Sequence, residues 1–263
     1  MIPKKIHYCW FGGNPKSKVV KKCINSWKKI CSGYEIIEWN ESNFNISTAP
    51  LYVRQAYKAK KWAYVTDYVR LYVVHEYGGI YLDTDVQVIK CFDSLLDCKS
   101  FFGFEDDNTG EYFVNLGHGF AAEKGNELVK KIVDSYQKLS FYNEDGSMNL
   151  IPSPQLNSIE FLKFGFQMNN QLQEIDGNIL YPGDFFDPKN FGTGKLTISD
   201  NTYSIHHYDA SWFDEDKKEQ LQENWKQYKK SERIDKLVHL PNRLLMYILG
   251  QEKYRKFKKK LRR

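Results

Sequence analysis

The sequence predicts an α/β domain over residues 1–214 followed by a helical extension over 215–263. Three observations carry this reading. The chain opens strand, amphipathic helix, strand; a dense apolar helix breaks at two glycines into a short run bearing two aspartates; and the composition turns strongly charged after Asp214.

Lys5 to Trp10 reads as the first strand, with Ile6 and Tyr8 on one side, and Phe11-Gly12-Gly13-Asn14-Pro15 turns the chain. Glycines in such a turn let backbone come close to a ligand. Lys16 to Cys31 places Val19, Val20, Cys23, Ile24, Trp27 and Ile30 at helical spacing with lysines opposite, and Tyr34 to Trp39 is the second strand. A β-α-β opening of this kind binds ligands at the carboxyl ends of its parallel strands, where Trp10 falls. Leu51 to Lys60 is a further helix leading into the central stretch.

That stretch is WAYVTDYVRLYVVHEYGGIYLDTDVQV, residues 62–88. Its first half is too apolar for a surface helix and suits a buried one. Asp67 and Arg70 interrupt the apolar run three residues apart, on one helical face, where they either brace each other as a buried ion pair or project together into a cleft. Gly78-Gly79 ends the helix because glycine enters positive-φ conformations without steric cost. Ile80 to Leu82 follows as a short strand, and extended backbone would send Asp83 and Asp85 to the same side with Thr84 facing away. Two carboxylates so placed suit a hard divalent cation carrying phosphate oxygens. An Asp-x-Asp alone arises about once by chance in a chain this long. The joint spacing of Asp67, Arg70, Gly78, Gly79, Tyr81, Asp83 and Asp85 is the stronger signal.

Beyond it, Val86 and Val88 continue the extended pattern, and Phe101 to Glu105 and Phe113 to Ala122 suggest further strands around a turn at 106–110. Asn115 and His118-Gly119 fall in a loop. Glu127 to Tyr136 is an amphipathic helix, and Ser153-Pro154 opens another that runs to Phe164. Residues 138–152 and 165–200 show no decodable period. Tyr203 to His207 is a strand in which His206 and His207 point to opposite sides, so one of them can reach a cation.

The central stretch, together with IPKKIHYCWFGG at residues 2–13 and HHYDASW at 206–212, resembles glycosyltransferase family 32, bacterial enzymes of capsule and surface-polysaccharide assembly whose sugar-binding region contains a DxD motif. More distantly it is similar to the glucosylating domains of large clostridial toxins. The resemblance implies a GT-A type fold and a retaining, metal-dependent transfer from a nucleotide sugar, most simply a UDP-sugar. By the same resemblance Trp10 stacks on uracil, Asp67 and Arg70 bind donor-sugar hydroxyls, Tyr81 lines the donor pocket, Asp83 touches ribose or sugar and the metal's water shell, and Asp85 binds the metal. Ser211 and Trp212 match the family's ending and would touch the diphosphate. A residue near the end of such a domain completes the metal shell, and counting back from Trp212 favours His207 over His206. An imidazole in the set suits Mn²⁺ better than Mg²⁺. No side chain stands out as a covalent nucleophile, which leaves the departing phosphate to help deprotonate the acceptor.

Charge separates the two parts. The net +5 is misleading, because residues 251–263 carry eight Lys or Arg and one Glu, leaving −2 for residues 1–250. A nucleic-acid-binding domain would spread its basic residues over the folded surface. Asp216 to Lys236 reads as an exposed helix packed through Leu221, Trp225 and Tyr228; Leu240, Leu244, Tyr247 and Ile248 form a second stripe, followed by Tyr254, Phe257 and Leu261 among basic residues. Such a tail either lies on an anionic inner-membrane surface or is a solvated terminus. No run of about 20 apolar residues exists for a membrane span. Met1 to Gly12 lacks the order of a secretory signal, and five cysteines without paired spacing suggest a reduced, cytoplasmic setting. The acceptor expected is a saccharide or lipid-linked saccharide. The rival readings are a metal-dependent phosphatase, for the likeness of LDTDV to an Asp-x-Asp hydrolase motif, and a non-catalytic carbohydrate- or lipid-binding protein.

Overall fold

A computed structural model describes residues 1–106, 110–209, 213, 215–238 and 249–261. The chain divides into two compact units, Met1–Phe191 with Leu196–Asp214, and Gly192–Lys195 with Glu215–Arg263.

The first unit is a mixed α/β sandwich of three layers, the class the sequence predicts. Strands β1 (Lys5–Cys9), β2 (Glu35–Trp39) and β3 (Gly79–Tyr81) are mutually parallel in the order β2-β1-β3. The sheet continues through β7 (Phe120–Ala122), antiparallel to β3, then β5 (Ser100–Asp106), β9 (Asn178–Tyr181) and β8 (Gln173–Ile175), with β6 (Tyr112–Asn115) paired to β5. A separate ribbon joins β4 (Val86–Val88) to β10 (Ser204–His206). The strand period of two sends successive side chains into two different cores. Cys9, Tyr81, Phe102, Phe104 and Phe120 pack with helices α2 (Leu51–Lys58), α3 (Trp62–Tyr77), α4 (Glu127–Ser135) and α5 (Ser153–Phe164). Ile6, Tyr8, Ile80, Phe101 and Ala121 pack with α1 (Lys18–Ile30) and with Phe92, Phe186 and Tyr203.

Helix α3 is the buried helix expected. Val65, Val69, Leu71, Val73 and Val74 are all fully buried, so Leu71→Ala should cost about 2–5 kcal/mol. It stops at Gly78, whose N–H donates to the Val74 carbonyl at φ +64. A side chain at Gly79 (φ +116) would stand 2.9 Å from the Lys5 carbonyl oxygen. The glycine pair therefore both ends α3 and seats β3 against β1.

Two departures from the sequence reading matter. Asp83 and Asp85 do not sit on extended backbone: β3 ends at Tyr81, and Asp83 to Val86 form a turn closed by the Val86 N–H on the Asp83 carbonyl at 3.0 Å. Their convergence comes from the turn, not from strand alternation. The region left unread, 165–200, contains the β8–β9 hairpin, turned at Asp176 (φ 54) and Gly177 (φ 74). Two positive φ values in succession are what an Asp-Gly hairpin turn requires.

In the second unit, helix α6 (Glu215–Val238) buries Leu221 and half-buries Trp225 and Tyr228, and Trp225 lies where a side chain on Gly194 would sit. Helix α7 (Gln251–Leu261) is largely exposed. The stripe at Leu240, Leu244, Tyr247 and Ile248 lies outside the described residues, as do Ser211, Trp212 and the side chains of Phe257 and Leu261.

Candidate active site

The site lies past the carboxyl ends of β1 and β3. Because those strands are parallel neighbours, Trp10 after β1 and the Asp83–Asp85 turn after β3 emerge at the same edge of the sheet. Trp10 is half-buried, donates its indole N–H to the Asn14 carbonyl at 2.7 Å, and has the Lys16 ammonium 5.4 Å from its ring centre.

Asp85 is gripped by the end of β10 and the residues that follow it. Asp85 Oδ1 lies 3.2 Å from His206 Nε2, Oδ2 accepts from the Asp209 N–H at 2.8 Å, and the Asp85 carbonyl accepts from the His207 N–H at 3.0 Å. Tyr208 makes this wrap possible. It takes a left-handed φ of 58, lies 4.2 Å ring to ring from His206, and donates its hydroxyl to Asp187 Oδ1 at 2.6 Å. Ligand atoms of Asp83, Asp85 and His206 all fall within 4.8 Å of one another, forming the potential metal cluster among the described residues.

This differs from the sequence reading, which favours His207. Antiparallel pairing of β10 with β4 sets His206 opposite Val86, one residue from Asp85, so alternation turns His206 inward and His207 away. The His207 ring instead pairs with Gln87 Oε1 at 3.1 Å.

The charges of the cluster are mutually tuned. For Asp85, burial would raise the carboxyl, but the facing His206 outweighs it and holds Asp85 down to about 2. For His206, burial would lower the imidazole, but Asp85, Asp83 and Asp187 together raise it to about 9. Asp83 is pushed up by burial, opposed by Arg70 and reinforced by Asp85. Burial and the neighbouring Glu105 raise Asp187 to about 8. A pocket in which the charge facing Asp85 is a removable proton on imidazole is a site a divalent cation fits, with two carboxylates and a nitrogen as donors.

A second set of partners meets Asp83 from the other side. Tyr81, only 1% exposed, donates its hydroxyl to Asp83 Oδ1 at 2.9 Å, and Arg70 Nη1 reaches Oδ2 at 3.4 Å. Tyr81 thus acts on Asp83 from within the core rather than from an open wall. Arg70 and Asp67 form a buried ion pair along one face of α3, through Nη2, the first of the two arrangements that their spacing leaves open. The same nitrogen donates to the Ser153 hydroxyl at 2.8 Å.

Four participants escaped the sequence reading or stood in it without an assigned role. Gly117 accepts the Asp83 N–H on its carbonyl at 2.8 Å, and a side chain there would lie 2.2 Å from Asp83 Oδ2 and 3.1 Å from Arg70 Nη1. Asn115 turns this loop by accepting the Gly117 N–H at 2.6 Å. Tyr208 had no local signal, since a positive φ at tyrosine is set by its surroundings. His118, in the same loop, is fully buried, neither ring nitrogen has a hydrogen-bond partner among the described residues, and burial keeps it neutral.

Parts of the chain are similar to known proteins. Residues 17–102 match the glycosyltransferase sugar-binding region containing a DXD motif. The chain is 26% identical over 221 residues to the uncharacterized glycosyltransferase L373 of Acanthamoeba polyphaga mimivirus, covering 81% of this chain and 84% of that one. It is 32% identical over 146 residues to inositol phosphoceramide mannosyltransferase 3 of Schizosaccharomyces pombe, covering 53% of this chain and 38% of that one. Among solved structures, the PaToxG glycosyltransferase aligns at a TM-score of 0.48 and 22% identity, over 62% of this chain and 69% of that one. The galactosyltransferase LgtC, solved with donor and acceptor sugar analogues, aligns at 0.42 and 13%, over 82% and 94%.

Proposed function

We propose, from the premise that this chain is a glycosyltransferase, that it is a metal-dependent, retaining enzyme of GT-A type that moves a sugar from a UDP-sugar to a saccharide or lipid-linked saccharide. The observation that carries the reading is the clustering of Asp83, Asp85 and His206 at the carboxyl edge of parallel strands, the edge from which Trp10 also emerges.

Asp85, His206 and Asp83 would hold the cation, and the imidazole in that set favours Mn²⁺ over Mg²⁺. A cation bound there supplies charge neutralisation to a diphosphate leaving group. The chain's own groups do the rest. Trp10 offers a ring face for uracil, with Lys16 beside it. Arg70 and Asp67 bind hydroxyls of the donor sugar and hold it in one orientation, which is where most of the rate gain arises when no protein nucleophile takes part. The departing phosphate takes the acceptor proton. Retention follows the resemblance to family 32 and is read from the anomeric configuration of the product. The yeast relative's name, a mannosyltransferase acting on inositol phosphoceramide, supports an acceptor with a lipid part.

Calorimetric titration of UDP into the protein, with and without Mn²⁺, tests this reading in wild type and Asp85→Asn. Manganese-dependent binding lost in the variant is the expected result, and a panel of UDP-sugars then identifies the donor. Absence of UDP binding by folded protein, with release of inorganic phosphate from sugar phosphates, overturns it in favour of a phosphatase. We place the enzyme at the cytoplasmic face of a membrane through its basic end, since each Lys or Arg near an anionic surface contributes about 1 kcal/mol. No helix among the described residues is long and apolar enough to cross a membrane. Sedimentation with phosphatidylserine vesicles should fall sharply on deletion of residues 251–263; equal sedimentation would remove the tail from the proposal.

A further inference from the structure

We propose that Ser153 is a positioning residue that sets the Arg70 guanidinium for the donor sugar. The inference rests on the role given to Arg70 above.

Ser153 is the first residue of α5 and follows the N-cap position, which Pro152 occupies. Capping falls to the residue before the first helical one, so the Ser153 hydroxyl is free of that duty. Within a residue only 7% exposed, it accepts from Arg70 Nη2 at 2.8 Å, a partner 83 positions away on α3.

Donor accounting on Arg70 shows why this bond matters. A guanidinium has five N–H donors: one on Nε and two on each Nη. Nη2 is fully used, one hydrogen on Asp67 and one on Ser153. Nη1 gives one hydrogen to Asp83 at 3.4 Å, and Nε has no partner among the described residues. Saturating Nη2 leaves the second Nη1 hydrogen beside Asp83, the side on which the donor is read to bind. Asp67 alone cannot fix that orientation. A single contact lets the planar fork swing about it, whereas two contacts on one nitrogen plus one on the next define its plane. Ser153 is also the neutral member of the three, so changing it alters geometry without altering the charge of the site.

Nitrogen-detected NMR of arginine side chains tests the placement without any ligand. The chain has seven arginines, and Arg70→Lys assigns the signal. Wild type should show Arg70 Nη resonances that are resolved and slow to rotate. Ser153→Ala should collapse them towards the fast-rotating average, and Ser153→Thr, which keeps the hydroxyl, should restore them. Unchanged Arg70 resonances in folded Ser153→Ala overturn the proposal. A kinetic arm follows, using whichever of UDP-glucose, UDP-galactose or UDP-N-acetylglucosamine wild type hydrolyses. Ser153→Ala should lower kcat/KM by about tenfold, the range for supporting residues behind a functional group, while the Kd for UDP with Mn²⁺ stays within twofold. Equal weakening of UDP binding, or unchanged kcat/KM, marks Ser153 as structural only. If wild type turns over no UDP-sugar, the functional reading fails while the NMR arm still decides the role of Ser153.

Discussion

Asp83 stands between two corners of one site that are built on opposite electrostatic plans. At the Arg70 corner, a guanidinium sits between Asp67 and Asp83 and its charge is compensated by protein. At the Asp85 corner, a carboxylate held down to about 2 faces an imidazole raised to about 9, so the compensating charge is a proton that can leave. The first corner is balanced in charge without a ligand. The second is balanced only while protonated, and a divalent metal in the proton's place would add one further positive charge beside the two carboxylates. A sequence motif that reads simply as Asp-x-Asp thus contains one carboxylate beside a permanent guanidinium charge and one beside an imidazole whose charge is a proton.

Asp85→Asn should break the contrast most severely. Removing the carboxylate that both pairs with His206 and accepts the Asp209 N–H should reduce sugar transfer by about 10³-fold, as loss of a principal electrostatic group does; turnover with a UDP-sugar and Mn²⁺ measures it. Gly117→Ala comes next. Its methyl would occupy the space of Asp83 Oδ2 and press on Arg70 Nη1, shifting the one residue the two corners share. Activity should fall about 10–100-fold with Tm reduced by a few degrees, and an unperturbed kcat/KM would show that the loop gives way instead.

The pH dependence separates the corners without mutation. An imidazole must be neutral to bind a metal, and His206 keeps its proton up to about 9. Mn²⁺ affinity should therefore rise about tenfold per pH unit and level off near 9, with the slope lost in His206→Gln. Stability of the metal-free protein runs the other way. The folded-state value of His206 is raised, so its contribution is full below 6.5 and is lost as pH climbs through about 9. Asp85 is lowered, so its contribution is present above 3.8 and is lost as pH falls through about 2. Thermal melts between pH 6 and 10 should show Tm falling without metal and holding with it.

Much of this was legible in the sequence. The buried helix announced itself by apolar density and its end by Gly78-Gly79, and three-residue spacing put Asp67 and Arg70 on one face without deciding whether they pair or face a cleft. Local signals also existed for what was left unread: Asp176-Gly177 between QEI and NILY is a hairpin signature. The parts that could not be read depend on tertiary approach. Gly117 is needed because Asp83 comes to lie against it, Ser153 matters because the start of α5 reaches Arg70 of α3, and Tyr208 adopts its φ because residues 206–209 must wrap Asp85. None of these leaves a periodic trace.

The choice between the adjacent histidines is the finest of these cases and yields the smallest predicted effect. Strand alternation says that His206 and His207 diverge and is silent on which goes inward; the register of β10 against β4 decides it by setting His206 opposite Val86. His207 is left with Gln87, and burial together with Lys189 lowers its imidazole. His207→Ala removes that one side-chain hydrogen bond while its backbone N–H continues to hold the Asp85 carbonyl. The loss should be about 1 kcal/mol of stability, with Mn²⁺ affinity changed less than twofold by calorimetry. His206→Ala measured alongside should abolish Mn²⁺ binding. Equal losses in the two variants would mean that the metal draws on both rings and that the β10–β4 register shifts when it binds.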